Sequence, residues 1–123
     1  MQQHERDLDL ISIILEDCRV LESRIVYFDA TEDSFVNDRS EKGEIAYDAI
    51  MSPVYRIAED VLHLSEKVIA EYPNYPWNDI RGFRNFVAHG YREVDRSIAW
   101  KVIVDDIPDL IDVLNDYRKR PRF

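Results

Sequence analysis

The chain has 123 residues and a formal net charge of −9, with 46% hydrophobic and 33% charged residues but only three glycines and five prolines. That length suits one domain with its own apolar core, and so few turn formers disfavour an all-β sandwich and favour long helices. The acidic balance argues against broad, sequence-independent nucleic-acid binding, which depends on Lys and Arg neutralising phosphates.

The N-terminus, MQQHERDLDL, carries acids where a signal peptide needs a basic patch, and no apolar run approaches the ~20 residues of a membrane span. A cytoplasmic protein with no membrane association is expected. Leu8, Ile11, Leu15, Cys18, Leu21 and Ile25 then recur at spacings of three and four, the period of one helix face. Leu10, Ile13 and Ile14 widen that stripe, which suggests burial on more than one side, including against a second subunit. Cys18, the only cysteine, falls on the stripe; it allows no disulfide framework, fits a reducing compartment, and is expected to be buried packing rather than a nucleophile.

The segment 31–42 is polar and reads as a connection, with Thr31 or Ser34 able to cap a short helix. A second long pattern runs through Ile45, Ala49, Ile57, Val61, Leu64 and Val68, and Pro53 within it should kink the helix. EYPNYPW, residues 71–77, ends this helix, because Pro73 and Pro76 disfavour helical conformation in the residues before them. A third helix is expected from about Trp77 to His89, stopped by Gly90. Asp95 can cap the last one, whose apolar face is Ile103, Ile107, Leu110, Leu114 and Tyr117, with Pro108 as a second kink. The expected architecture is all-α: an up-and-down bundle of four main helices plus a short connecting helix, one domain over residues 1–123.

Chemistry-bearing residues concentrate in RNFVAHGY, residues 84–91. On a helix, Asn85 and His89 share a face, as do Arg81 and Arg84, while Arg84 and His89 lie about 140° apart, within reach of a long arginine side chain. A histidine in a last helical turn can exchange protons near neutral pH. An arginine beside it can bind a phosphate through two donors. Together they suit phosphodiester cleavage by an internal 2′-hydroxyl, a scheme that needs no metal and no cofactor. The same spacing also fits a plain helix-end histidine with solvated arginines, and Tyr91 can equally be a core or interface aromatic. Local nucleic-acid contacts have two candidate sources: Arg81, Arg84, Arg92 and Arg96 around the motif, and Arg118, Lys119, Arg120 and Arg122 at the C-terminus. The second cluster is also what a helix C-terminus attracts. His4 and His63 have no metal-ligand partners at useful spacing and are expected at the surface.

Arg84, four residues, His89, one residue, then Tyr91 resembles the signature of the HEPN superfamily, and the surroundings resemble its HepT-like branch, also called DUF86. The likeness extends to Tyr75-Pro76-Trp77, Ile80, Phe83-Arg84-Asn85, Val94-Asp95, Trp100 and Asp106-Ile107-Pro108, covering the C-terminal half closely. The resemblance implies an all-helical, dimeric, metal-independent ribonuclease, the toxin of a type VII-like pair whose antitoxin is a nucleotidyltransferase of the MNT type. It implies that Arg84 and His89 are catalytic, that Asn85 orients them, and that the partner nucleotidylates Tyr91; Arg81, from the basic cluster around the motif, is expected to assist with RNA. Glu59 matches a recurring acidic position and is either a wall of the active site or a solvated helix face. An alternative reading is a catalytically silent helical module that binds a nucleotide or a nucleotidyltransferase.

Overall fold

A computed structural model describes residues 2–88 and 94–121, with the helical backbone but not the side chains of 84–88. Its order is α1 (Gln2–Tyr27), α2 (Glu32–Asn37), α3 (Glu41–Val61), α4 (Glu66–Glu71), α5 (Trp77–Ala88), α6 (Arg96–Lys101), a π-helical turn (Val102–Asp106) and α7 (Ile107–Lys119). No strand occurs among the described residues. Since α6, the π turn and α7 follow without interruption, the bundle has four long members, α1, α3, α5 and the C-terminal rod, joined in part by short helices.

Two contacts fix α1 against α3 in opposite directions, Asp17 to Arg56 and Arg24 to the Ala49 carbonyl, and a third joins Asp7 to Ser65 just beyond α3. The stripe of α1 buries Ile11, Ile14, Leu15, Cys18 and Leu21 as expected. Its widened flank divides: Ile14 is fully buried, Leu10 is half-buried, and Ile13 stays 54% exposed. α1 closes with Asp29 in the left-handed region (φ 49°) and an Ala30 N–H to Ile25 carbonyl bond, an αL stop that an Asx residue tolerates. Thr31 and Ser34 then form a reciprocal capping box at the start of α2.

In α3 the buried stripe is Tyr47, Ile50, Met51, Val54, Ile57, Ala58 and Val61. That corrects the expected phase at the helix start, where Ile45 is exposed and Ala49 only half-buried. The Tyr47 ring fills the space instead, packed against Phe35 of α2 at 5.2 Å between ring centroids. The helix continues through Pro53 rather than splitting there. Its break falls later, at residues 62–65, where the buried carboxylate of Asp7 accepts from the Ser65 N–H (3.1 Å) and hydroxyl (2.6 Å) and so holds the chain out of helix before α4 begins.

Asp95 caps α6 by accepting from the Ser97 and Ile98 N–H groups. Further along, Pro108 lacks the N–H that an α-helix would direct to the carbonyl four residues back, and its ring crowds that turn. The wider π turn just before it, Val102–Asp106, relieves the crowding, so the expected kink is realised as a π segment. Beyond it Ile107, Leu110, Leu114 and Tyr117 are buried. The Tyr117 hydroxyl lies 3.4 Å from His4 Nδ1, which makes His4 a half-buried member of the α1–α7 contact rather than a plain surface residue.

Candidate active site

The helix that carries most of the motif is anchored at its start by three polar contacts. Trp77 Nε1 donates to the Tyr72 carbonyl (2.9 Å), the Trp77 N–H donates to the Tyr75 carbonyl (2.8 Å), and the Tyr75 hydroxyl donates to the Asp106 carbonyl (2.7 Å). Tyr75 and Trp77 meet edge to face with centroids 4.7 Å apart, a favourable aromatic geometry. The prolines of EYPNYPW therefore do more than end a helix, since the segment ties α4, α5 and the π turn into one corner. Trp77, Ile80 and Phe83 are buried, setting the rotation of α5 about its axis.

Arg84 and Asn85 lie on the backbone of α5, one turn after Arg81, and α5 packs against α3. His89, Gly90, Tyr91 and Arg92 lie outside the described residues, as does Arg122 in the tail. Glu59 sits half-buried near the end of α3, with its carboxylate 3.8 Å from His63 Nε2 one turn on; His63 is exposed, as expected.

Arg81 lines a groove of about 470 Å³ between α4 and the start of α5. One terminal nitrogen of its guanidinium stands 3.9 Å from Glu66, and its Nε is buried without a hydrogen-bond partner. Helical spacing within α5 did not reveal Glu66 as its neighbour, because the break after α3 that brings α4 there depends on a contact from α1. A second groove, about 310 Å³, runs between α5 and the C-terminal rod, lined by Gly82, Phe83, Ile98, Lys101 and Val102 with Asp79 and Asp106. Burial, and then the carboxylates of Asp79 and Asp105, raise the Asp106 carboxyl above its ordinary pKa. A Cβ added at Gly82 would meet nothing within 4 Å, so packing inside the described chain does not require glycine there.

Two arginines expected near nucleic acid are used inside the fold. Arg96 is buried, pairs with both carboxylate oxygens of Glu44 (2.9 and 3.0 Å), and stacks 3.6 Å over the Tyr47 ring. It is therefore a clamp between α6 and α3, which corrects its placement among RNA contacts. Arg120 bonds Asp116 (2.9 Å) and Glu71 (3.1 Å) and lies over the Tyr72 ring, closing the end of α7 onto α4. Cys18 is 1% exposed, and burial together with Glu22 and Asp17 pushes its thiol up to about 12. A thiol so hard to ionise is a poor nucleophile.

Residues 14–116 match the ribonuclease HepT-like family, a span that contains Arg84, Asn85, His89 and Tyr91 and most of the bundle. The chain belongs to the ribonuclease HepT-like family. Among its relatives, a protein of Methanocaldococcus jannaschii provisionally named a ribonuclease is 28% identical over 91 residues, covering 74% of this chain and 83% of the relative. Another, provisionally named a ribonuclease in Caldanaerobacter subterraneus, is 28% identical over 97 residues, 79% of this chain and 80% of the relative. A shorter match, 33% over 48 residues, joins 39% of this chain to 44% of a protein of Thermococcus cleftensis named a probable ribonuclease HepT. No solved structure matches the chain. The all-helical fold agrees with this membership. No helix among the described residues is long and apolar enough to cross a membrane.

Proposed function

We propose that this single HepT-like domain is a metal-independent endoribonuclease, the toxin of a type VII-like HEPN/MNT pair, and that Arg84 and His89 are its catalytic residues. The observation that carries the reading is the family match across residues 14–116, which spans the complete Arg84-x4-His89-x-Tyr91 motif. In the proposed reaction a substrate 2′-hydroxyl attacks the adjacent phosphorus, and the bond to the 5′-oxygen breaks. His89 moves protons between these oxygens, and Arg84 stabilises the charge that develops on the phosphoryl oxygens. Products are a 2′,3′-cyclic phosphate and a free 5′-hydroxyl. Asn85 orients the pair, Arg81 contacts RNA, and Glu59 serves as a wall of the cleft.

One motif supplies one histidine, whereas acid–base cleavage has two proton-transfer roles. A homodimer that pairs two motifs meets that need. The half-exposed Ile13 on α1 and Ile98 beside the α5 groove, with bare backbone at Gly82 between α5 and the rod, support burial of these faces against a second copy. The antitoxin partner is an MNT-type nucleotidyltransferase that adenylylates Tyr91. The added phosphate would occupy arginines meant for RNA, and the nucleotide would block entry.

The net charge of −9 and the commitment of Arg96 and Arg120 to internal acids favour a second reading, a silent module that binds a nucleotide or the nucleotidyltransferase. Cleavage of RNA by the purified chain in excess chelator separates the two. Wild type should cut, whereas Arg84→Ala and Arg84→Lys should not, since an ammonium lacks the planar two-donor edge. Equal cutting by all three removes Arg84 from the mechanism, and no cutting by wild type favours the silent module.

A further inference from the structure

We infer that Arg81 and the α4–α5 groove form a seat for a second phosphate of the RNA, one nucleotide away from the bond that is cut, with Glu66 as an internal competitor for that seat. The inference rests on the ribonuclease reading and adds to it a minimum substrate: a strand that extends past the scissile phosphate on the α4 side.

The contrast among arginines is the starting point. Arg96 is held by two carboxylate bonds and a ring, Arg120 by two carboxylates and a ring, Arg56 by Asp17 and Ser52, and Arg24 by a backbone carbonyl at 2.6 Å. Among the described residues Arg81 has only the 3.9 Å approach of a terminal nitrogen to Glu66, too long for a hydrogen bond. Among the described residues its Nε is the one buried side-chain nitrogen or oxygen without a hydrogen-bond partner. A planar five-donor group prefers bidentate acceptors, and in its present position the buried Nε donor has none. Swinging toward the groove breaks nothing but the contact to Glu66, which is itself 88% exposed and free to turn into water.

The groove measures about 470 Å³, and Arg81 is the one basic residue among the described residues that line it. Its rim is Pro73, Pro76 and Asn78, all exposed, and its other carboxylate, Asp79, lies two residues from Arg81, about 200° round the helix. Arg81 is three residues before Arg84, so the two Cα atoms are one turn apart along α5. Neighbouring phosphates of an extended strand can be met by two long side chains at that spacing. The competitor gives the seat a sign that can be tested, because Glu66 partly neutralises Arg81 when the groove is empty and must yield when a phosphate arrives.

The test measures binding of a fluorescent, non-cleavable 2′-O-methyl RNA strand by the full chain across a salt series. The wild type is compared with Arg81→Ala, Glu66→Gln and the double variant, each checked for helicity. One lost phosphate contact should reduce the slope of log affinity against log salt by about 0.7. Between about 50 and 200 mM salt the wild type should then lose about 2.6-fold more affinity than Arg81→Ala. Glu66→Gln should bind more tightly than wild type at low salt, and adding Arg81→Ala should abolish that gain, which a merely structural role for either residue would not produce. A dinucleotide with a single phosphate should be bound equally by wild type and Arg81→Ala. An unchanged slope in Arg81→Ala, or a gain in Glu66→Gln that survives loss of Arg81, overturns the seat while leaving the ribonuclease reading intact. A wild type that neither binds nor cuts RNA overturns both.

Discussion

Replacing Arg96 with alanine separates a structural arginine from an RNA contact, since a basic residue seven positions after His89 invites the second reading and the structure carries the first. The side chain is buried, and its loss removes four things: bonds from one guanidinium nitrogen to both carboxylate oxygens of Glu44, a long bond to the Phe35 carbonyl (3.5 Å), a stacked contact on Tyr47, and the packing of its own stem between α6 and α3. Glu44 is nearly half exposed, so the pair is screened and contributes no more than about 1 kcal/mol. A desolvated cation over a ring adds about 1–2 kcal/mol, and the lost stem packing about another 1 kcal/mol. Allowing for coupling among terms that share one side chain, the variant should lose roughly 2–3 kcal/mol. With a urea dependence of about 1.5 kcal/mol per molar, the unfolding midpoint falls by roughly 1.3–2 M. Below that transition, the salt dependence of RNA binding should match wild type. An unfolding midpoint that hardly moves, together with a weaker salt dependence of binding, would refute the clamp and return Arg96 to the RNA surface.

Other predictions follow from the same contacts. Asp7→Ala should cost roughly 2–4 kcal/mol, since it leaves the half-buried Ser65 N–H and hydroxyl without their acceptor, whereas Asp7→Asn, which keeps an acceptor for the N–H, should cost less than half of that in the same urea titration. The Cys18 thiol, raised by burial to about 12 against 9.0 in the open chain, stays protonated in the fold while the unfolded chain ionises. Its contribution is therefore fully present below pH 9 and is lost as pH rises toward 12, at up to about 1.4 kcal/mol per pH unit. Cys18→Ala should flatten the fall in unfolding midpoint between about pH 9 and 10.5, and an identical slope in the variant would count against the buried thiol. Co-expression with a cognate nucleotidyltransferase should add the mass of an adenylyl group to the peptide bearing Tyr91; Tyr91→Phe should lose that mass and escape neutralisation, and neutralisation without any mass change would point to inhibition by complex formation.

The elements legible in the sequence are those whose signals are local. The capping box of Thr31 and Ser34, the Asp95 cap, and the 103–107–110–114–117 stripe of the last helix all depend on residues within a few turns of one another. Pro108 announced a disturbance, though not that a π turn would absorb it. The break after α3 was invisible because its cause, Asp7, lies 58 positions away from Ser65. Ile45 lost its expected core place to Tyr47 for a related reason: Phe35 of α2 and Arg96 of α6 both offer that ring a surface, and periodicity within α3 knows nothing of either. At the candidate site, the backbone position of Arg84 and Asn85 on α5 agrees with the sequence reading, while Arg81 gained its groove and its neighbour Glu66 from α4, an element that apolar spacing merged into its neighbour.

The central claim, that Arg84 and His89 cut RNA through its own 2′-hydroxyl, is tested most directly by the ends of the products that purified chain makes from single-stranded RNA in excess chelator, with His89→Ala beside it. Wild type should yield 2′,3′-cyclic phosphate and 5′-hydroxyl ends, and His89→Ala should yield none while keeping its unfolding midpoint. Products bearing 5′-phosphate ends, or cutting by His89→Ala at the wild-type rate, would contradict the account.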